Sequence, residues 1–211
     1  MKQNKILDEV IASDIEKIEE TWKGIDRESF DNAVETILKA RKVYVIGIRN
    51  SAPLADFLSS YLNLICENVV KIQTSGSSEV FEQLIRMNEK DVIIGISFPR
   101  YSMRTIKALE FASSRQAKVI TLTDCVNSPL NLYSSCNLIA KSHMTSLVDS
   151  LVAPMSVINA LIVALYMKRK KKVVSSLEDL EQIWAEFQVY DKDEMNPACA
   201  EMYMKCEENE E

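Results

Sequence analysis

The sequence predicts an α/β fold, a doubly wound parallel sheet of five strands with helical extensions at both ends. Two observations predict it. Short runs that are apolar nearly throughout recur at 43–47, 69–73, 92–96, 118–122 and 137–140, and helical periodicity fills the intervals between them. Strands without polar alternation must be covered on both faces, the condition of a parallel sheet with helices on each side. Right-handed crossovers then restrict the topology to a doubly wound sheet, whose ligands bind outside the carboxyl ends of the strands.

The elements follow in chain order. Residues 4–23 place Ile6, Val10, Ile11, Ile15, Ile18 and Trp22 at the spacing of an amphipathic helix, with Gly24 at its end. A second helix over Phe30–Ala40 carries Phe30, Val34, Ile37 and Leu38 on one face. After the first strand, Leu54, Ala55, Leu58, Tyr61 and Leu62 set a helix over 52–65. Further helices are predicted at 78–87, 102–114 and 148–169, with a short one near 129–134. A tail helix over 176–190 presents Leu177, Leu180, Ile183, Trp184 and Phe187, and an acidic end follows at Glu207–Glu211. The expected organisation is a linker-type helix at 1–28, one ligand-binding domain at 29–172, and a C-terminal helix with acidic tail at 173–211.

A chain of 211 residues, 47% hydrophobic, is long enough for one well-buried domain with an extension. Its formal net charge of −6 argues against direct nucleic-acid binding by this chain, because neutralising phosphates needs a concentrated basic surface. The basic run Lys168–Lys172 closes a helix, where cations complement the helix dipole. The five cysteines form no C-x-x-C pair and there is one histidine, so neither a zinc site nor a disulfide framework is expected, and no cofactor. The polar start Met1–Lys5 is unlike a signal peptide, and a reducing cytoplasm is the expected compartment. Leu147–Met167 is apolar enough to resemble a membrane span. It nevertheless holds Asp149, Ser150, Pro154, Ser156 and Asn159, so a helix buried in the domain or in a dimer interface is expected, with no membrane contact.

Two strand–turn–helix units carry the candidate chemistry. In Val43-Tyr-Val-Ile-Gly-Ile-Arg-Asn-Ser51 the strand stops at Gly47 and a hydroxyl stands four positions later, before a helix. In Val92–Ser102 the strand runs out at Ser97 and Ser102 precedes the next helix. Backbone N–H groups and a hydroxyl at a helix N-terminus bind phosphate well. The dinucleotide fingerprint is absent, because Arg49 stands where its second glycine would be, and the P-loop pattern is absent too. A short anion pocket remains, built from Gly47, Arg49, Asn50 and Ser51 with Ser97, Arg100 and Ser102. The simpler reading of Ser51 and Ser102 is that each caps the helix after it. Thr74–Ser78 is rich in hydroxyls, so Ser75 is a further candidate, while Ser77 or Ser78 would cap the next helix. His143 could serve as an acid or base. Asp149 reads either as a site residue or as a first-turn carboxylate favoured by the helix dipole. No residue is assigned a catalytic or metal-binding role.

These residues resemble the SIS (sugar isomerase) domain, closest to the effector-binding domain of RpiR-type transcriptional regulators. The signals are Val43–Ser51, Ile96-Ser-Phe-Pro-Arg-Tyr-Ser102, Thr121-Leu-Thr-Asp124 with Ser128-Pro-Leu130, and Asp149-Ser-Leu-Val-Ala-Pro-Met155; together they cover roughly residues 30–170. Ala12–Thr21 is similar to the helix that joins the DNA-binding domain to the SIS domain in such regulators. The resemblance implies a flavodoxin-like strand order and binding of a phosphorylated sugar or amino sugar at the strand ends. It also implies a homodimer or homotetramer packed through helices such as 148–169. Ser51 would be a phosphate-side hydroxyl, Ser97 the strand-end serine, and Ser102 would hold the place of the threonine in the S-x-S-G-x-T loop. Pro99 and Arg100 depart from that loop, where serine and glycine are usual; proline removes a donor and arginine adds a charge.

A non-catalytic sensor of a phosphosugar is therefore expected, with the helix-turn-helix domain absent from this chain. The alternatives are an aldose–ketose phosphosugar isomerase, with His143 or Asp149 as proton carriers, and an oligomerising module with a degenerate pocket.

Overall fold

The computed structural model describes residues 3–73, 76–142, 144–145 and 148–187. The chain divides between Arg169 and Lys170 into two units.

In the first unit, α1 (Gln3–Gly24) and α2 (Arg27–Lys39) precede the sheet. The strands are β1 (Lys42–Gly47), β2 (Val69–Lys71), β3 (Asp91–Ile96), β4 (Lys118–Thr123) and β5 (Cys136–Ile139). Between them lie α3 (Ala52–Ile65), α4 (Ser77–Leu84) and α5 (Met103–Ser114), with 3-10 turns at Arg49–Ser51 and Pro129–Tyr133. All five strands pair in parallel, in the order β2-β1-β3-β4-β5, which is the flavodoxin-like order. The three central runs read as strands because their residues are buried on both faces, β3 at every position, while the edge strands β2 and β5 are only partly covered. Tyr44, Ile46, Ile93 and Val119 pack with Val80 and Leu84 of α4 and Ile106, Leu109 and Ala112 of α5. Strand alternation turns Val43, Val45 and Ile94 to the opposite face, where α3 lies against β1 and β2 and α2 against β5.

The start of the central pair is held by charge. Asp91, fully buried, accepts from Arg41 Nε at 2.9 Å and Arg41 Nη2 at 2.7 Å, and from the Asn88 N–H at 3.0 Å. This bidentate geometry satisfies a carboxylate that has no access to water. The same carboxylate raises the Arg41 pKa above its ordinary value, chiefly through the hydrogen bond.

Three expectations need correction. First, the apolar periodicity of α1 is real, but the face that meets the domain is polar: Lys17 and Thr21 are buried while Leu7, Ile11, Ile15 and Trp22 are exposed, Trp22 at 64%. Second, the last helix does not begin at 148. Met144–Thr145 (β6) pairs antiparallel with Val148–Asp149 (β7), and α6 spans Val152–Glu186. The Ser150 hydroxyl accepts from the Val152 N–H at 3.4 Å, the side-chain-to-backbone competition that delays a helix start. Asp149 is therefore not a first-turn carboxylate. Third, α4 is preceded at its N-cap position by Gly76, whose N–H donates to Glu79 Oε2 at 3.0 Å, so neither Ser77 nor Ser78 is the cap.

By length and composition α6 could cross a membrane, yet Ala153, Val157, Ile158, Leu161 and Leu165 are buried within the first unit. Arg169 leaves helical geometry (φ −122°, ψ 20°) and donates to the last carbonyls of the neighbouring helices, Ile65 O at 3.1 Å and Leu38 O at 2.6 Å. The second unit begins at Lys170 and is helical to Glu186; the expected tail beyond 187 lies outside the described residues.

Leu161→Ala, at a position 1% exposed, should cost about 2–5 kcal/mol of unfolding free energy in urea titration. Val163→Ala, at a position 57% exposed, should stay within about 0.5 kcal/mol in the isolated chain.

Candidate functional site

The strand order reverses its winding between β1 and β3, because α3 covers one face after β1 and α5 the other after β3. Gly47 pairs with Ile96, so the two chain segments leave the sheet side by side. A crevice at such a switch point is where open α/β sheets hold ligands.

The first segment turns sharply. A Cβ on Gly47 would lie 2.5 Å from the Ser51 carbonyl oxygen and 2.9 Å from Ala55 Cβ, so only glycine lets the start of α3 pack on the strand end. Arg49 takes a left-handed φ of 57°, a conformation that costs a side-chain-bearing residue energy and clusters at functional sites. Ser51 is buried and makes no side-chain cap bond to α3, so the capping reading of this serine does not hold. The start of α3 offers few backbone donors: the Ser51 N–H bonds Ile48 O at 3.3 Å, the Ala52 N–H bonds Arg49 O, and Pro53 has none, so the Ser51 hydroxyl is the donor of interest there. Arg49 and Asn50 are exposed.

The second segment closes on itself. The Ser97 N–H continues the ladder to Leu122 O at 3.2 Å, and the Ser97 hydroxyl accepts from the Ser102 N–H at 3.1 Å. The Ser102 hydroxyl in turn accepts from the Thr105 N–H at 3.4 Å, so Ser102 does cap α5, as its simpler reading held. Arg100 is exposed at the tip of this loop. Among the described residues the fully buried Thr105 hydroxyl has no hydrogen-bond partner, leaving one uncommitted donor at the first turn of α5.

Each segment is tied to a carboxylate elsewhere in the chain. Asn50 Nδ2 donates to Asp149 Oδ2 at 2.8 Å, which brings β7 to the first segment. The next residue, Ser150, donates to Asp14 Oδ1 of α1 at 2.5 Å. In the second segment the Tyr101 hydroxyl donates to Asp124 Oδ1 at 2.7 Å, directly after β4, and lies 3.8 Å from Cys125 Sγ. Burial, and then the bond to Asp124, push the Tyr101 phenol well above its ordinary value.

Of the sequence candidates, the structure brings together Gly47, Arg49, Asn50 and Ser51 with Asp149, and Ser97 and Ser102 with Arg100 in one loop. Ser75 and His143 lie outside the described residues. Tyr101 and Asp124 were missed. A carboxylate immediately after a buried strand was a readable signal for Asp124, but nothing local announces its partner 23 residues earlier. Among the described residues no cluster of three or more His, Cys, Asp or Glu is arranged to hold a metal ion.

Hydroxyls at the starts of α3 and α5, with an exposed guanidinium group in each segment, suit an oxyanion. The SIS-domain family model matches residues 36–164. The sugar isomerase domain of an RpiR transcription factor from Sphaerobacter thermophilus superposes with a TM-score of 0.80 at 27% identity, over 84% of this chain and 99% of that one. The Vibrio vulnificus NanR protein, solved with ManNAc-6P, gives 0.75 at 21% identity over 86% of this chain and 69% of that one. A helix-turn-helix-type transcriptional regulator of Clostridium perfringens is 29% identical over 136 residues, 64% of this chain and 48% of that protein. The chain spans about half the length of the curated relatives it matches, between 40% and 60%.

Gly47→Ala should lower stability by about 1–3 kcal/mol through overpacking against the Ser51 carbonyl, measured by chemical denaturation. The raised phenol of Tyr101 gives the folded state the greater hold on that proton. Its contribution is full below the unfolded tyrosine value of about 10 and is lost as pH rises beyond it. Denaturation at successive alkaline pH values should therefore show a shallower loss of stability in Tyr101→Phe than in the parent chain.

Proposed function

The chain belongs to the SIS-domain family, and on that footing we propose that it is the phosphosugar-sensing effector domain of an RpiR-type transcriptional regulator. The observation that carries this reading is the pair of hydroxyl-bearing segments at one switch point, each opening onto a helix N-terminus. Ser51, Ser97 and Ser102, with the backbone from Gly47 to Asn50, form the phosphate pocket, and Arg49 and Arg100 add positive charge. Arg100 supplies by charge what Pro99 withholds as a backbone donor. Two findings support the ligand class and the regulator: the V. vulnificus NanR structure holds ManNAc-6P, and the matched curated relatives are helix-turn-helix-type regulators.

The unit senses rather than turns over its ligand. It works as a homodimer or homotetramer in the bacterial cytoplasm, and contact with DNA falls to another domain. The exposed apolar residues of α1 and Val163 and Met167 of α6 favour association of copies. A ligand acts by binding one arrangement of the domain more tightly than another, since equal affinity for both shifts nothing.

Thermal unfolding with aldose, ketose and amino-sugar phosphates, their unphosphorylated parents and inorganic phosphate tests the assignment. A phosphosugar at ~100 times its dissociation constant should add roughly 2.7 kcal/mol, and its unphosphorylated parent nothing. Ser51→Ala and Ser97→Ala should each reduce that gain; an undiminished gain in both would refute the pocket.

A further inference from the structure

The anion segments account for one end of a phosphosugar and leave its hydroxyl-bearing body unassigned. Resting on the reading above, we infer that Asp124, held by Tyr101, selects that body by accepting a hydrogen bond from a ligand hydroxyl or ammonium group.

Asp124 stands at the right edge of the crevice for this. The Ser97 N–H reaches Leu122 O, so the end of β4 lies beside the strand-end serine, at the usual inter-strand spacing of about 4.8 Å. Asp124 is the first residue past β4 and is half-buried. Its Oδ1 is committed twice, to the Tyr101 hydroxyl at 2.7 Å and to the Thr123 hydroxyl at 3.2 Å. The Thr123 hydroxyl also lies 2.9 Å from Ser128 Oγ, which extends the network to the turn after β4. Oδ2 takes no donor from the described residues. A partly desolvated carboxylate with one oxygen pinned and the other unpaired is an acceptor awaiting a donor. Tyr101 belongs to the same loop as Ser97 and Ser102, so the phosphate loop and the body-reading carboxylate are positioned by one hydrogen bond.

The charge arrangement adds a specificity. Asp149 is tied to the first segment as Asp124 is to the second. Two carboxylates beside a single anion pocket accept hydroxyl or ammonium donors and repel a second phosphate. The ligand class this fits is a sugar or amino-sugar monophosphate, with bisphosphates disfavoured.

The test is isothermal titration of the parent chain, Asp124→Asn and Tyr101→Phe with inorganic phosphate, a panel of hexose and hexosamine monophosphates, and a hexose bisphosphate. Asp124→Asn should weaken the tightest monophosphate by roughly tenfold or more, the usual worth of a hydrogen bond to a charged acceptor. It should leave inorganic phosphate nearly unchanged and narrow the preference for monophosphate over bisphosphate. Tyr101→Phe, which keeps the charge but loosens its aim, should give a smaller loss of the same selective kind. It carries the test alone if Asp124→Asn unfolds early. Equal weakening of phosphate and monophosphate, or no change in either, would overturn the role of Asp124 while the phosphate reading stands. A parent chain that binds none of the probes would overturn that reading and this one together.

Discussion

Everything above the sheet depends on the parallel pairing of β1 with β3, from Lys42 opposite Asp91 to Gly47 opposite Ile96. At its start the buried Asp91 carboxylate is gripped by two N–H donors along one edge of the Arg41 guanidinium, a contact that opposes slippage of one strand past the other. A one-residue slip of β1 would turn Tyr44 and Ile46 away from α4 and α5 and bury the wrong face. At its other end the pair delivers two chain segments to the point where the winding reverses. The position of the crevice is thus a consequence of register, and register is a consequence of which side chains must be covered.

The candidate site is held by long-range polar contacts. Asn50 reaches a carboxylate 99 residues away, and Ser150, beside that carboxylate, reaches back 136 residues to Asp14. The Thr21 hydroxyl accepts from the Lys141 N–H at 2.8 Å in the same way. These contacts explain why α1 presents Lys17 and Thr21 to the domain and carries its apolar residues outward. A helix held by a few hydrogen bonds is held less firmly than one held by a buried apolar stripe. The first segment of the site and the first helix of the chain are consequently joined through two adjacent residues, Asp149 and Ser150.

The local parts of the site were legible. Gly47, Ser51, Ser97 and Ser102 could be picked out because a buried strand ending in a small residue before a helix has a sequence signature of its own. The roles within that set were not legible. Ser51 and Ser102 occupy matching positions, yet Ser102 caps its helix and Ser51 does not. Gly47 decides the difference on one side by admitting the Ser51 carbonyl; on the other side the Ser97 hydroxyl folds the loop back onto Ser102. Of the two readings of Asp149, the first-turn carboxylate failed because an apolar run predicts a helix without saying where the Ser150 hydroxyl will delay it.

By itself the sequence determined the fold class, the number of strands in the main sheet, the helices between them and the two segments at the strand ends. Those follow from periodicity and from the need to cover apolar strands on both faces, which neighbouring residues suffice to express. Tertiary structure alone decided which face of α1 is buried, the short antiparallel strand pair ahead of α6, and the carboxylates bound to the two segments of the site. Each of these rests on contacts between residues far apart in the chain, and no local pattern of polarity encodes which distant hydroxyl or amide a carboxylate will meet.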